Sequence, residues 1–345
     1  MGTPQKKRVI AFGELLLRLT TKHHERFVQA SEFDARYTGA EANVAVSLAH
    51  FGVEPFAVSK VPAHEIGQAC INTLRRFGVN TDYVLRGGDR LGIVYFELGA
   101  SQRPTKLIYD RSHSCFQEIR PGEFDWKNIL RDKHWFHFSG TAPARVNHVV
   151  TVLKDACSLA RKLGVKVSCD VNYRSKLWTV EQARRVMPGL MEDVDVVTLG
   201  VEDVRQLFGI ECRKPPKAGS REGIAVAREA MVEMQKRFGF SYTAMTLREE
   251  ASASVNRLEG LLYDGKKIYR SRPYEIQIVD RIGGGDAFTA GLIYGFLSEG
   301  DPQQTIEFAT AAACLKHSIP GDFNLASLEE VKDLMDGKDF GRVRR

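Results

Sequence analysis

The segment Ile278–Gly291, IVDRIGGGDAFTAG, holds the residue types and spacing best suited to chemistry. Its apolar start reads as a strand ending at Val279, three glycines follow (Gly283, Gly284 and Gly285), and a helix is expected from about Asp286. Amide N–H groups in a glycine turn can approach an anion closely because no Cβ obstructs them, and the positive end of the helix dipole faces the same way. Such a turn is a phosphate cradle. Asp286, in the first helical turn, stands where a carboxylate can take the proton of a hydroxyl that attacks the held phosphorus. An aspartate after a glycine turn can equally be a plain helix N-cap, and spacing alone leaves both readings open. The segment is not a dinucleotide fingerprint, because G-x-G-x-x-G requires glycine where Phe288 stands. The chain also has no G-x-x-x-x-G-K-[ST] loop.

The rest of the chain supplies elements to position this turn. Arg8–Gly13, Pro55–Lys60, Trp135–Ser139, Val165–Val171, Val194–Leu199 and Tyr242–Leu247 read as strands. Helical patterns cover Glu41–Phe51, Glu65–Phe77, Asn147–Leu163, Glu181–Met191, Glu202–Phe208 and Arg221–Phe238. Short strands are expected between Ser254 and Val279, then helices at Ala287–Leu297, Gln303–His317 and Leu325–Met335. This alternation predicts an α/β fold with a mainly parallel central sheet covered on both faces. Segments 15–37 and 92–111 break the rhythm, and residues 92–111 read as a hairpin. Together they predict a small β-sheet lid over a site, a dimer contact, or both. The whole chain, 1–345, reads as one domain carrying that lid.

Composition bounds the function class. Of 345 residues, 43% are apolar and 27% charged, which excludes a disordered or collagen-like chain. Lys plus Arg exceeds Asp plus Glu by 49 − 43 = +6, with basic clusters only at Lys6-Lys7-Arg8 and near the C-terminal Arg345. A nucleic-acid partner is not expected from so dispersed a charge, whereas an anionic small substrate is. The six cysteines are scattered without a C-x-x-C pair, so a reducing cytoplasm is expected and a disulfide framework is not. No metal-ligand constellation made by the protein alone is expected. The apolar run from Val9 is interrupted by Glu14 and Arg18, so neither a signal peptide nor a membrane span is expected.

Two segments together, Thr38–Ala45 (TGAEANVA) and DRIGGGDAFTAG, resemble the first and the C-terminal signatures of the ribokinase-like (phosphofructokinase-B type) carbohydrate kinases. The resemblance covers residues 8 to 335 and implies a three-layer α/β/α sandwich with a β-sheet lid. Within the family the chain is most similar to 2-keto-3-deoxygluconate kinases, through Arg90-Leu91-Gly92, Tyr109-Asp110-Arg111, Asp170–Arg174 with Leu177-Trp178, and Gly321-Asp322-Phe323-Asn324. It implies ATP-dependent phosphorylation of 2-keto-3-deoxy-D-gluconate at its 6-hydroxyl, with Asp286 as base and Gly283–Gly285 as anion hole. By the same resemblance Gly39, Asn43 and Asp322 contact substrate hydroxyls, while Tyr95, Tyr109 and Arg111 close over the sugar acid from the lid. Arg174 binds the carboxylate or the moving phosphate, for which a guanidinium fork is suited. Asn172, Thr246, Arg248 and Asn324, with Gly283 and Gly285, fall beside the nucleotide. The implied cofactors are ATP, Mg2+ held mainly through the nucleotide phosphates, and a monovalent cation. The implied assembly is a homo-oligomer, a dimer through the lid.

Three departures from the family pattern stand out. Gly284 replaces the usual alanine of Gly-Ala-Gly-Asp, which is expected to loosen the turn while keeping its amides. The Asn-x-x-Glu motif tied to magnesium aligns with Gly200-Val201-Glu202-Asp203. The nucleotide loop, usually Leu-Gly-x-x-Gly, reads Thr246-Leu247-Arg248-Glu249-Glu250-Ala251, where Arg248 is either a phosphate contact or a surface residue. Two rival readings remain: a kinase of the same fold for fructose or ribose, against which Arg111 and Arg174 argue, and a silent sugar-acid-binding protein.

Overall fold

The computed structural model describes residues 6–144, 146–213, 220–250 and 255–338. The chain opens with β1 (Arg8–Phe12), β2 (Leu16–Thr21), β3 (Phe33–Thr38), α1 (Ala40–His50), β4 (Glu54–Val61), α2 (Glu65–Arg76), β5 (Asn80–Arg86), β6 (Gly92–Glu97) and β7 (Lys106–Asp110). It continues through α3 (Trp126–Leu130), β8 (Trp135–Ser139), α4 (Asn147–Lys162), β9 (Lys166–Asp170), α5 (Val180–Met191), β10 (Val196–Thr198), α6 (Val201–Phe208) and α7 (Arg221–Phe238). The last part holds β11 (Tyr242–Glu250), β12 (Val255–Tyr263), β13 (Ile268–Arg270), β14 (Tyr274–Gln277), α8 (Gly284–Leu297), α9 (Pro302–Lys316) and α10 (Leu328–Asp336).

The central sheet runs β13-β12-β11-β10-β9-β8-β1-β4-β5, with β14 on β12. From β5 to β11 every pair is parallel, and antiparallel pairing begins at β11–β12. The central strands are largely buried because both faces are covered: Ile10 and Phe12 pack into the layer of α4 to α7, and Val9 into that of α8 to α10. The result is the expected three-layer α/β/α sandwich with a mainly parallel sheet.

Lid strands β3-β2-β6-β7 form the separate small sheet predicted for segments 15–37 and 92–111. Around the glycine turn the boundaries differ from the sequence reading: β14 ends at Gln277 rather than Val279, and α8 begins at Gly284 rather than Asp286. Strand β5 has no counterpart in the sequence reading. It is an edge strand, NTDYVLR, in which Asn80, Asp82 and the exposed end at Arg86 interrupt any apolar run.

Candidate active site

The chain leaves β1 toward β4 and β5 on one side and toward β8 to β11 on the other, and a cavity of about 500 Å³ opens at the carboxyl ends of these strands. That is where ligands settle in open α/β sheets. Residues brought to its wall include Gly39, Asn43, Tyr109, Arg111, Asn172, Arg174, Thr246, Arg248, Gly283, Gly285, Asp286 and Asp322, scattered through the sequence.

Gly283 is the N-cap of α8, with φ +80°, and no side chain caps the helix. A Cβ at Gly283 would lie 2.0 Å from the Asp322 carbonyl, so only glycine fits this left-handed turn. At Gly285 a Cβ would meet nothing within 4 Å, because that position faces the cavity. The first amides of α8 therefore point at open space with no protein cap, which is the geometry an anion completes.

Asp286 is not the cap. Its carboxylate accepts a hydrogen bond from Asn43 Nδ2 at 2.7 Å, and Asn43 Oδ1 in turn accepts from Thr38 Oγ1 at 3.2 Å. Burial pushes the Asp286 carboxyl up to about 6, against the opposing pull of the Asn43 bond and the Arg174 charge. Asn43 thus lines the cavity and also aims the carboxylate.

Gly284 does not line the cavity, and its lack of a side chain is a packing demand rather than a loosening. A Cβ there would come within 2.5 Å of His317 Cε1. The fully buried His317 has its ring fixed by Nδ1–H donation to the Ala313 carbonyl at 2.6 Å, and its Nε2 accepts from Arg248 at 3.3 Å. Burial lowers the His317 pKa to about 4, so the ring is neutral and able to accept. Arg248 is therefore a cavity residue positioned by His317, not a surface one.

On the lid, the pleat decides which side chains face the cavity. The row Arg18–Val94–Tyr109 faces inward, and the neighbouring row Ala35–Leu19–Tyr95–Ile108 faces away. Tyr95 is thereby corrected: it lies on the outer face, edge-on to Phe33, and not over the site. Arg111 does line the wall, but its guanidinium is ion-paired with buried Glu14 and donates to the Thr141 carbonyl at 3.1 Å. Asp322 is held by Arg18 and by the Thr38 hydroxyl. Arg18, 2% exposed, also reaches Asp280 at 3.3 Å and stacks over Phe96 at 4.2 Å. Glu14 and Arg18, which in the sequence merely interrupt an apolar run, are the buried charges that fasten the lid to the sheet.

The nucleotide-side residues divide. Asn172, Thr246 and Arg248 line the cavity, Asn172 in the left-handed region (φ 39°) that asparagine tolerates. Asn324 does not; it is 1% exposed and accepts from the Ala326 amide at 3.2 Å, ordering the approach to α10. Ala251, at the end of the expected nucleotide loop, lies outside the described residues. Up to Glu250 that stretch is not a loop but the continuation of β11, paired with β12. Sequence reasoning missed Arg281, although it stands within the glycine motif, and Asp170 as a cavity residue.

Asp170 is pushed up to about 8 by burial and by the neighbouring Asp286, and burial also raises Asp203. Among the described residues no group of three or more His, Cys, Asp or Glu side chains could hold a metal. Two carboxylates on the wall, Asp170 and Asp203, are hard oxygen donors that suit Mg2+ when phosphates and water complete its shell. For a monovalent cation the donor set does not fit. The carbonyls of Asp280 and Ile319, which converge behind Gly283, already receive the Lys316 ammonium at 3.4 and 3.0 Å.

Residues 6–325 match the family model of pfkB family carbohydrate kinases. The chain is 31% identical over 335 residues to 2-dehydro-3-deoxygalactonokinase of Haloferax volcanii, covering 96% of this chain and 98% of that protein. A crystal structure of 2-dehydro-3-deoxygluconokinase from Thermotoga maritima superposes with a TM-score of 0.91 at 45% identity, covering 96% of this chain and all 100% of that one. A putative 2-keto-3-deoxygluconate kinase from Enterococcus faecalis gives 0.90 at 26% identity, with 99% of both chains covered. The uncapped glycine turn and the buried, aimed Asp286 lie within the matched residues, and the chain belongs to the pfkB family of carbohydrate kinases.

Proposed function

We propose that the protein transfers the terminal phosphoryl group of ATP to the 6-hydroxyl of 2-keto-3-deoxy-D-gluconate, with the sheet and lid acting as one catalytic unit. The observation that carries the reaction type is Asp286, held by Asn43 beside the uncapped amides of α8. The acid preference rests on Arg174, which lines the cavity and makes no ion pair among the described residues, unlike Arg111. Arg248 and Arg281 add positive charge to the same wall.

In this reading the Asp286 carboxylate takes the proton of the 6-hydroxyl as its oxygen attacks the terminal phosphorus. The bond to the ADP oxygen breaks, and the amides of Gly284 and Gly285 stabilise the charge on the moving group. Bound magnesium supplies charge neutralisation across the nucleotide phosphates. Val94, Phe96 and Tyr109 cover the pocket from the lid and exclude water that would otherwise accept the phosphoryl group. The apolar outer row of the lid, with Phe33 and Ile108 exposed, supports a dimer formed by pairing lids. The six free cysteines suit a reducing cytoplasm.

The test is ADP release with magnesium-ATP and 2-keto-3-deoxygluconate, its galactonate epimer, gluconate, fructose and ribose. Turnover confined to the keto-deoxy acids supports the proposal, and the kinship with a galactonokinase makes the epimer ratio the informative value. Turnover on fructose or ribose instead keeps the reaction and discards the substrate. Sugar-acid binding without ADP release favours the silent binding protein.

A further inference from the structure

Lys316 closes α9 and is fully buried, yet it has no carboxylate partner in an ion pair among the described residues. The nearby acids are taken: Asp322 by Arg18 and Thr38, and Asp280 by Arg18 and the amides of Ile282 and Gly321. Its ammonium instead sits between two backbone carbonyls, Ile319 at 3.0 Å and Asp280 at 3.4 Å. These belong to the two strips of chain that form the back of the anion hole. The first, Val279–Gly283, leads into the glycine turn, and the other, His317–Asp322, packs its Asp322 carbonyl against Gly283. A Cβ at Gly283 would lie 3.2 Å from Lys316 Cε, so the lysine stem runs directly behind the turn. Asp280 and Asp322 act on its charge without pairing with it, and burying an ammonium that has no directly bonded carboxylate is costly and persists only where something else requires it.

We propose that the Lys316 ammonium is a covalently tethered monovalent cation: a positioning residue that joins the two strips behind the anion hole and makes phosphoryl transfer independent of added potassium or sodium. Carbonyl oxygens are the donors that alkali cations use, and here the side chain has already filled them. The inference rests on the proposed phosphoryl transfer for its activity readout, but not for its binding readout.

The experiment uses the full chain in tetramethylammonium buffer, with potassium chloride replacing tetramethylammonium chloride at constant ionic strength. Wild-type turnover, and the rise in melting temperature caused by magnesium-ATP, should be unchanged by potassium. Lys316→Ala should lose turnover by about tenfold or more, short of the roughly 100- to 1,000-fold that follows removal of an anion-hole donor itself. It should recover part of it with potassium or methylammonium, which fit the space left. Lys316→Met fills that space without charge and should show the loss without the rescue. A severalfold activation of wild type by potassium overturns the proposal, and this arm decides even where a variant fails to fold. Wild-type-like turnover of Lys316→Met, or a folded Lys316→Ala that neither cation rescues, also overturns it. Should no sugar acid be phosphorylated, the proposed function fails alone. The ATP-induced thermal shift, cation-indifferent in wild type and cation-dependent in Lys316→Ala, still tests the lysine.

Discussion

Asp286 is poised by two opposing influences, burial that raises its pKa and the Asn43 amide that lowers it. A base must be ionised to accept a proton, so kcat/KM should fall on the acid side with a midpoint near the value of about 6 set by those influences. Asn43→Ala removes the lowering contact and should move that limb to higher pH. Asp286→Asn should cut kcat by about 100- to 10,000-fold while leaving the melting temperature at or above that of wild type. Steady-state kinetics across pH checks both. Gly284→Ala should destabilise the fold by about 1–3 kcal/mol, because the new methyl group meets the His317 ring. The double variant Gly284→Ala/His317→Ser should recover that stability in urea unfolding and lose affinity for ATP because Arg248 loses its contact with the His317 ring. At this scale the sequence displayed the proposed base and cradle because Gly and Asp adjoin. It hid Glu14, Arg18 and His317, whose partners lie far away in the chain and share no local motif with them.

Periodicity made the helices and the parallel strands legible, since a strand covered on both faces must be buried throughout and largely apolar, as Trp135–Ser139 (WFHFS) is. The lid hairpins were readable for the opposite reason, an absence of helical period in 15–37 and 92–111. What period alone did not reveal was which face of β6 points inward, and Tyr95 was misplaced for that reason. The parity of the pleat settles it through the register with β2 and β7. Arg18 carries the attachment of the lid. Arg18→Met leaves two acids buried without their cation and should cost about 3–5 kcal/mol, read by urea unfolding. On the outer face, Leu19→Lys should convert the proposed lid-paired dimer to monomer in analytical ultracentrifugation. The KM for the sugar acid should then change little, because Leu19 points away from the cavity.

Several carboxyls around the cavity, Asp286, Glu41 and Asp170, have pKa values pushed up by burial to about 6, 7 and 8. Each binds its proton more tightly in the folded chain than in the unfolded one. The stabilisation is complete below the unfolded value of about 4 and is lost as pH rises through the folded values. The ligand-free protein should therefore melt at progressively lower temperature as pH rises from about 4 to about 8 and level off above that, by a slope that Asp170→Asn flattens in calorimetry. Magnesium-ATP should offset this fall, because binding to the folded state alone stabilises it.

Architecture also prescribes an order of assembly. Each lid hairpin, β2–β3 and β6–β7, closes through near neighbours in the chain, but the two are joined only by the parallel pair β2–β6. Between those strands the chain must lay down α1, β4, α2 and β5 against β1. Closing that long loop has an entropic cost that falls only once the intervening unit has docked. The β2–β6 amides should therefore gain protection in pulsed hydrogen exchange after those of β1 and β4, which makes the roof of the active site the last part of this half to be built.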